Sequence, residues 1–161
     1  MASDIAVILG VIFTLGLLWL SYLSLQQNAS AIRENRDAIE AQTVYQIQAD
    51  GRELVSSLSS DPELFEVFFN QLPVQGVDSE VISRSNPFLT EVMQYYSSVH
   101  FQHDAGNFPE DLWQGFRAEF CRFLSIPIVK RFWNDRVVNG AYSDIFVESG
   151  NDCISEAERD R

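Results

Sequence analysis

Positively charged residues are scarce in this chain. Lys and Arg together number 11, against 23 Asp and Glu, and the formal net charge at pH 7 is −12. The acidic residues are spread along the chain rather than massed in one tail. Because an acidic surface repels phosphate backbones and anionic lipid head groups, the composition argues against binding to nucleic acid.

Motifs for catalysis and for phosphate binding are missing. The sequence contains no Gly-x-Ser-x-Gly nucleophile elbow and no His-Glu-x-x-His zinc motif. Its 8 glycines are isolated from one another, so they form no glycine-rich phosphate loop. The acidic pair Glu110-Asp111 follows Pro109 and precedes an apolar helix, where the helix dipole explains it. We therefore predict that the protein is not an enzyme.

Cysteine is also rare, and the two that occur match no metal or redox spacing. Cys121 lies within the apolar stretch FRAEFCRFL and is predicted to be a small core residue. Cys153 falls in a polar segment and is predicted to lie on an exposed tail. Two thiols neither require nor exclude an oxidising compartment.

A single long hydrophobic run is present. Residues 5–25 contain no charged residue, and as a helix they would extend roughly 31 Å, the thickness of the hydrocarbon core of a bilayer. Trp19 and Tyr22 fall near one end of the run, where aromatic side chains anchor at the lipid–water interface. The run predicts a transmembrane helix over residues 5–25, preceded by a short tail over residues 1–4.

A cleavable signal peptide is the alternative interpretation of this run. Residues 29–31, Ala-Ser-Ala, fit a cleavage site, but no Lys or Arg precedes the run and it is longer than the usual apolar region. An uncleaved anchor is therefore preferred. Arg33 and Arg36 follow the run closely, which predicts a single-pass protein of the cell inner membrane with its N-terminus outside and its bulk domain in the cytoplasm.

Small residues recur along one face of the predicted span. Ala6, Gly10 and Thr14 are spaced every four residues, and Ser21 falls on nearly the same face. Such spacing lets two helix backbones approach closely in lipid, where packing drives association. The pattern predicts lateral association with a second copy or with a partner's helix. Chance alignment of residue types that are common in membrane helices is the alternative.

Residues 26–148 are predicted to form a stalk helix and an α-helical bundle. Between residues 26 and 58 there is no proline and only one glycine, Gly51. Apolar or weakly polar residues recur there at an interval of 11, which keeps one stripe on one side of a straight helix. The stripe comprises Ile32, Thr43 and Leu54, then Val44 and Val55, then Ile47 and Leu58. A break at Asp50-Gly51 is the alternative to one continuous helix.

Capping residues and prolines divide the rest of the bundle. Asp61-Pro62 predicts the start of a short helix, and Asn86-Pro87 predicts the start of another after a polar loop over residues 74–85. Two further helices are predicted from FPEDLWQGFRAEFCRFLS and SIPIVKRFWNDRVVNG, and YSDIFVES adds a turn of helix. Residues 149–161 are polar and are predicted to be a disordered tail.

The strongest candidates for a metal site are His100 and His103. They lie three residues apart, so one helix face would carry both imidazoles, and Asp104 is adjacent. The alternative is a helix end at which a histidine interacts favourably with the helix dipole. Because no Glu-x-x-His motif supplies further ligands, we predict structural or surface histidines, with no metal and no cofactor.

A series of caps and aromatic residues resembles a bacterial family. The series comprises Asp61-Pro62-Glu63-Leu64, Leu112-Trp113, Phe116, Leu124, Pro127, Trp133 and Phe146. With the N-terminal run, it resembles uncharacterised bacterial proteins that combine one anchor, a long helix and a helical domain of unknown function. The resemblance implies this architecture and a bacterial source, but no catalytic residue.

These observations together predict a membrane-anchored, non-enzymatic helical interaction module, either an accessory subunit of a membrane complex or a signalling adaptor. Its expected partners are the lipid bilayer and a protein, or a second copy, contacted through the membrane helix or the aromatic surface of the bundle. The alternative prediction is a small metal- or ligand-binding sensor that uses His100, His103 and nearby carboxylates.

Overall fold

A computed structural model describes the backbone of residues 2–159 and the side chains of residues 13–159. This part of the chain contains six α-helices, one 3₁₀ turn at Val74–Gly76 and no strand. The helices are α1 (Ala2–Ser59), α2 (Pro62–Phe69), α3 (Ser79–Asp104), α4 (Glu110–Leu124), α5 (Pro127–Val138) and α6 (Asp144–Arg159). The prediction of an all-α fold is confirmed.

The transmembrane part of that prediction has no support from the fold. Within the described residues, no helix is both long enough and apolar enough to cross a bilayer. The predicted span over residues 5–25 begins among residues 1–12, whose side chains lie outside the description.

The chain divides into two compact units, residues 1–41 and residues 42–161. In the first unit, the large apolar side chains of residues 13–25 are exposed on all sides of α1. In the second unit, the end of α1 carries a half-buried face that packs on the bundle. On this face Val44 and Ile47 contact a cluster around Trp113, and Leu54 and Leu58 contact the main core.

The stripe of residues that recur at an interval of 11 is buried only in part. Its members Thr43, Val44, Ile47, Leu54 and Leu58 are half-buried, whereas Val55 is 66% exposed and Ile32 is 67% exposed. The helix is continuous through position 51, so the alternative of a break there is wrong. A Cβ atom at Gly51 would lie 3.0 Å from Tyr95 Oη, so the glycine lets α1 approach α3 closely.

The predicted start of α3 at Asn86-Pro87 is wrong, and the polar loop predicted over residues 74–85 is correct only before Ser79. The 3₁₀ turn occupies part of that segment, and α3 begins at Ser79, where the Asp78 carboxylate accepts a hydrogen bond of 2.7 Å from the Glu80 amide. Pro87 therefore lies inside the helix, where a proline costs about 3 kcal/mol. Burial of Val81 and packing of the half-buried Ile82 against the core, both on the turns before Pro87, offset this cost.

The predicted disordered tail over residues 149–161 is wrong as far as Arg159, because α6 extends to that residue. Phe146, Gly150 and Cys153 are buried on one face of α6, at helical spacing. Cys153 is 1% exposed rather than on an exposed tail, and it forms a disulfide with Cys121 of α4. Residues 160 and 161 lie outside the description.

Two ion pairs also join α6 to its neighbours. Arg117 of α4 lies 3.0 Å from Glu156, and Lys130 of α5 lies 2.6 Å from Glu158. Such exposed pairs stabilise a fold by at most about 1 kcal/mol each. The docking of α6 therefore depends mainly on its buried face and on the disulfide.

The backbone of α6 lies close to the side chain of Trp133 on α5. Trp133 is fully buried, and its indole Nε1 donates a hydrogen bond of 3.2 Å to Asn151 Oδ1. A Cβ atom at Gly150 would lie 2.3 Å from Trp133 Cζ2, which is far inside van der Waals contact. Only glycine fits at this position without displacing the indole ring.

We predict that Gly150→Ala lowers the free energy of unfolding by about 1–3 kcal/mol, because the added methyl group would overlap the buried indole ring of Trp133. Urea denaturation followed by tryptophan fluorescence measures the change. Gly115→Ala is the matched control: its Cβ meets nothing within 4 Å, and alanine favours helix by up to about 1 kcal/mol. Equal stability of Gly150→Ala and the wild-type protein would contradict the packing described.

Candidate functional site

His100 is a buried member of an aromatic cluster at the end of α3. Its side chain is 9% exposed, and its ring meets Trp113 and Phe146 edge-on, with centroid distances of 5.3 and 5.7 Å. Its Nδ1 lies 3.3 Å from Asp104 Oδ2. His100 is therefore not a surface residue, and its imidazole packs as part of the core while keeping one carboxylate contact.

His103 stacks on the same tryptophan. The imidazole and indole rings are nearly parallel, at 12°, with a centroid distance of 4.3 Å. His103 Nε2 lies 2.9 Å from Glu110 Oε2, and because a carboxylate only accepts, the nitrogen donates. The contact joins the last turn of α3 to the first turn of α4.

The predicted metal candidates His100, His103 and Asp104 do come together. Asp104 lies within 3.3 Å of His100 Nδ1 and 3.6 Å from His103 Nδ1. Over the part of the chain that the structure describes, however, no group of three or more His, Cys, Asp or Glu side chains has an arrangement that could hold a metal ion. His103 Nδ1 is buried without a hydrogen-bond partner. The absence of a metal and of a cofactor stays a prediction.

The contact with His103 changes the acidity of the Glu110 carboxyl group. The pKa of Glu110 lies below its ordinary value, chiefly because its carboxylate accepts a hydrogen bond from His103 and, second, because it accepts one from Gln114. Both contacts favour the charged form of the carboxyl group. A glutamate held ionised at the start of α4 also interacts favourably with the helix dipole. The contact between His103 and Glu110 therefore stabilises the turn that joins α3 to α4.

The helix α2 presents a pair of exposed aromatic side chains. Phe65 and Phe69 are 42% and 74% exposed, and their rings stack with a centroid distance of 5.4 Å at 12°. The opposite face of α2 is buried through Leu64, Val67 and Phe68. We call Phe65 and Phe69 the α2 phenylalanine pair. In the sequence, the i,i+4 spacing of Phe65 and Phe69 is the signal that separates them from the buried Phe68 on a helical wheel.

The position of α2 is fixed at its first turn. The Asp61 carboxylate caps the helix by accepting hydrogen bonds of 3.2 Å from the Glu63 and Leu64 amides. Arg84 of α3 donates to Asp61 Oδ2 at 3.0 Å and also to the Glu63 carboxylate. The guanidinium thus bridges the cap and the first turn, and it keeps the phenylalanine pair facing outward.

The predicted membrane-helix residues can be placed only in part. Trp19 and Tyr22 are exposed neighbours, with ring centroids 6.0 Å apart, and Thr14 and Ser21 are exposed on α1. The side chains of Ala6 and Gly10 lie outside the description. The roles of these residues in helix packing and at the lipid interface stay predictions.

Comparison with family models, with curated proteins and with solved structures finds no match to this chain. The resemblance to a bacterial family with one anchor and a helical domain therefore stays a prediction.

We predict that His103→Ala raises the pKa of Glu110 towards its ordinary value, because the substitution removes the largest cause of the lowered pKa. Titration of the Glu110 carboxyl carbon by NMR measures this. Gln114→Ala removes only the second cause and should give a smaller rise. A carboxyl group with a lowered pKa stabilises the folded state above its unfolded pKa, and this stabilisation is lost as the pH falls through its folded pKa. An unchanged Glu110 titration in His103→Ala would contradict the contact.

Proposed function

We propose that this protein is a membrane-anchored, non-enzymatic interaction module whose helical domain binds another protein through the α2 phenylalanine pair. The exposure of two stacked aromatic rings on a helix that is held in place is the observation that carries this proposal. Aromatic side chains supply much of the binding energy at protein interfaces, and a helix with an i,i+4 aromatic pair suits an apolar groove.

The surroundings of the pair indicate the chemistry of its partner. Glu63 and Glu66 flank the pair on α2 and are exposed, and the chain as a whole has a net charge of −12. A complementary partner therefore has an apolar groove with Lys or Arg at its rim. Because the bridge from Arg84 already orders α2, little conformational entropy is lost on binding.

The membrane anchor is the second part of the proposal. Residues 5–25 carry no charge in the sequence, and those of them whose side chains the structure describes expose large apolar groups on all sides of α1. A helix that is apolar all round requires lipid or protein around it. This requirement supports an anchor formed by residues 5–25, with Ala6, Gly10, Thr14 and Ser21 as its packing face.

Two observations point to opposite sides of the membrane as the location of the helical domain. Arg33 and Arg36 after the predicted span favour a cytoplasmic domain. The Cys121–Cys153 disulfide favours an oxidising compartment, because cytosolic reductants keep structural thiols reduced. Two arginines in an acidic flank bias topology weakly, so we propose that the domain faces the oxidising side and that the N-terminus faces the cytoplasm.

We predict that Phe65→Ser combined with Phe69→Ser abolishes co-purification of the partner from native membranes in mild detergent, because it removes the apolar contact area. Quantitative mass spectrometry of captured complexes provides the measurement. Phe101→Ser, at another phenylalanine that is 67% exposed, is the matched control and should leave the complex intact. Equal loss in both variants, or no loss in either, would exclude the phenylalanine pair as the interface.

We also predict that both cysteines are oxidised in living cells. Cells are quenched in acid, the protein is denatured, and free thiols are tagged with a maleimide before and after reduction. The expected result is no tag before reduction and two tags after it. Cys153→Ser shows that the remaining Cys121 can be tagged without reduction. Two tags on the wild-type protein before reduction would place the domain in the cytoplasm, as the arginines predict.

A further inference from the structure

A polar groove of about 590 Å³ lies between α3 and the junction of α5 with α6. Thr90, Gln94, Ser97 and Ser98 line it from one face of α3, and Arg136 and Tyr142 line it from the other side. Arg136 is the only charged residue among those that the structure places in its lining. We call this cavity the Arg136 groove.

The guanidinium of Arg136 is held in place without a carboxylate. Its Cζ lies 4.9 Å from the centroid of the Phe132 ring, a cation–π contact that orients the group. Among the ion pairs of the described residues, none includes Arg136. A planar guanidinium that stacks on a ring keeps its N–H groups available for carboxylate or phosphate oxygens. Arg136 can therefore bind an anion.

The other groups in the Arg136 groove are neutral hydrogen-bonding groups. Ser97, Ser98 and Tyr142 supply hydroxyls, and Gln94 supplies an amide that both donates and accepts. Burial raises the pKa of Tyr142 and outweighs the opposing effect of Arg136, so the phenol keeps its proton at neutral pH. Hydroxyl and amide groups in this arrangement suit the hydroxyl groups of a ligand.

A neighbouring acidic surface limits the charge of that ligand. Gln94 and Ser98 also line an adjacent groove, which carries the carboxylates of Asp50, Glu53 and Glu91. A polyanion that extended along α3 would meet these carboxylates and be repelled. A ligand with one anionic group at Arg136 and a neutral, hydroxylated remainder avoids this repulsion.

We propose that the Arg136 groove is a binding site for a small, soluble, hydroxylated anion of the class of sugar phosphates and sugar acids. The volume of about 590 Å³ lies within the range of small-molecule sites, roughly 300–1,000 Å³. The guanidinium binds the anionic group, and the side chains of α3 and Tyr142 bind the hydroxyls. This site shares no residue with the α2 phenylalanine pair, so it does not depend on the proposed protein partner.

Isothermal titration calorimetry of the full chain in phosphatidylcholine nanodiscs tests the proposal, with glucose 6-phosphate, gluconate, glucose and inorganic phosphate as probes. We expect saturable binding of glucose 6-phosphate or gluconate, and at least tenfold weaker binding of glucose and of inorganic phosphate. Failure of both hydroxylated anions to bind at millimolar concentration would overturn the proposal. Equal affinity for inorganic phosphate would overturn the assignment to a hydroxylated ligand.

Variants then assign the binding to the groove. Arg136→Gln should weaken binding at least tenfold, while Arg131→Gln, at an exposed arginine of the same helix that does not line the groove, should leave it unchanged. Ser98→Leu, at an exposed position, places a larger side chain in the groove and should also weaken binding. It is the second variant to use if circular dichroism shows that Arg136→Gln is unfolded. Equal affinities in all four proteins would place the binding elsewhere and overturn the proposal.

A further titration, with an anionic lipid in the nanodiscs, distinguishes a soluble ligand from a lipid head group of the same chemistry. Phosphatidylglycerol added to the nanodiscs should leave the affinity for glucose 6-phosphate unchanged. Competition by this lipid would show that the groove takes a head group and would overturn the assignment to a soluble ligand.

Discussion

The contact between the backbone of α6 and the indole of Trp133 determines how the second unit is assembled. With no side chain at Gly150, α6 lies directly against the buried ring, and Phe146 stacks on Phe120 with a centroid distance of 5.2 Å. The same approach brings Cys153 to Cys121. It also sets the position of the α5–α6 junction, and therefore of one wall of the Arg136 groove. A small displacement of one helix would disturb the core, the disulfide and the groove together.

Local signals in the sequence predicted helices well where the chain's own capping chemistry decides their ends. Asp61 caps α2 and Pro62 opens it, as expected from their side chains alone. The same type of signal failed at Asn86-Pro87, because burial of the preceding turns of α3 outweighs the cost of an interior proline. Burial on a neighbouring helix is a property of the tertiary structure, and a proline carries no information about it.

The error at residues 149–161 has a related cause. The segment reads as polar because few of its residues are apolar, yet Gly150 and Cys153 follow Phe146 at helical intervals and form one buried face. A glycine is not counted as a core residue on sequence grounds, and here it is required by an indole from another helix. The cysteine pairing likewise depends on two helices meeting, so spacing along the chain could not reveal it. The spacing of His100 and His103 places them on one helix face, but their packing on Trp113 depends on where α4 lies and cannot be read from that spacing.

Because α6 follows in the chain the aromatic residues that it covers, its position has a consequence for biosynthesis. Trp133 and Phe120 are among the most deeply buried side chains, and both are covered by residues 146–150. During translation these aromatic surfaces stay uncovered until α6 has left the ribosome, so α1–α5 cannot complete their core as the chain emerges. Folding of the second unit therefore requires that α6 has been synthesised. Until then the nascent chain exposes aromatic surface of the kind that makes incompletely folded chains prone to aggregation.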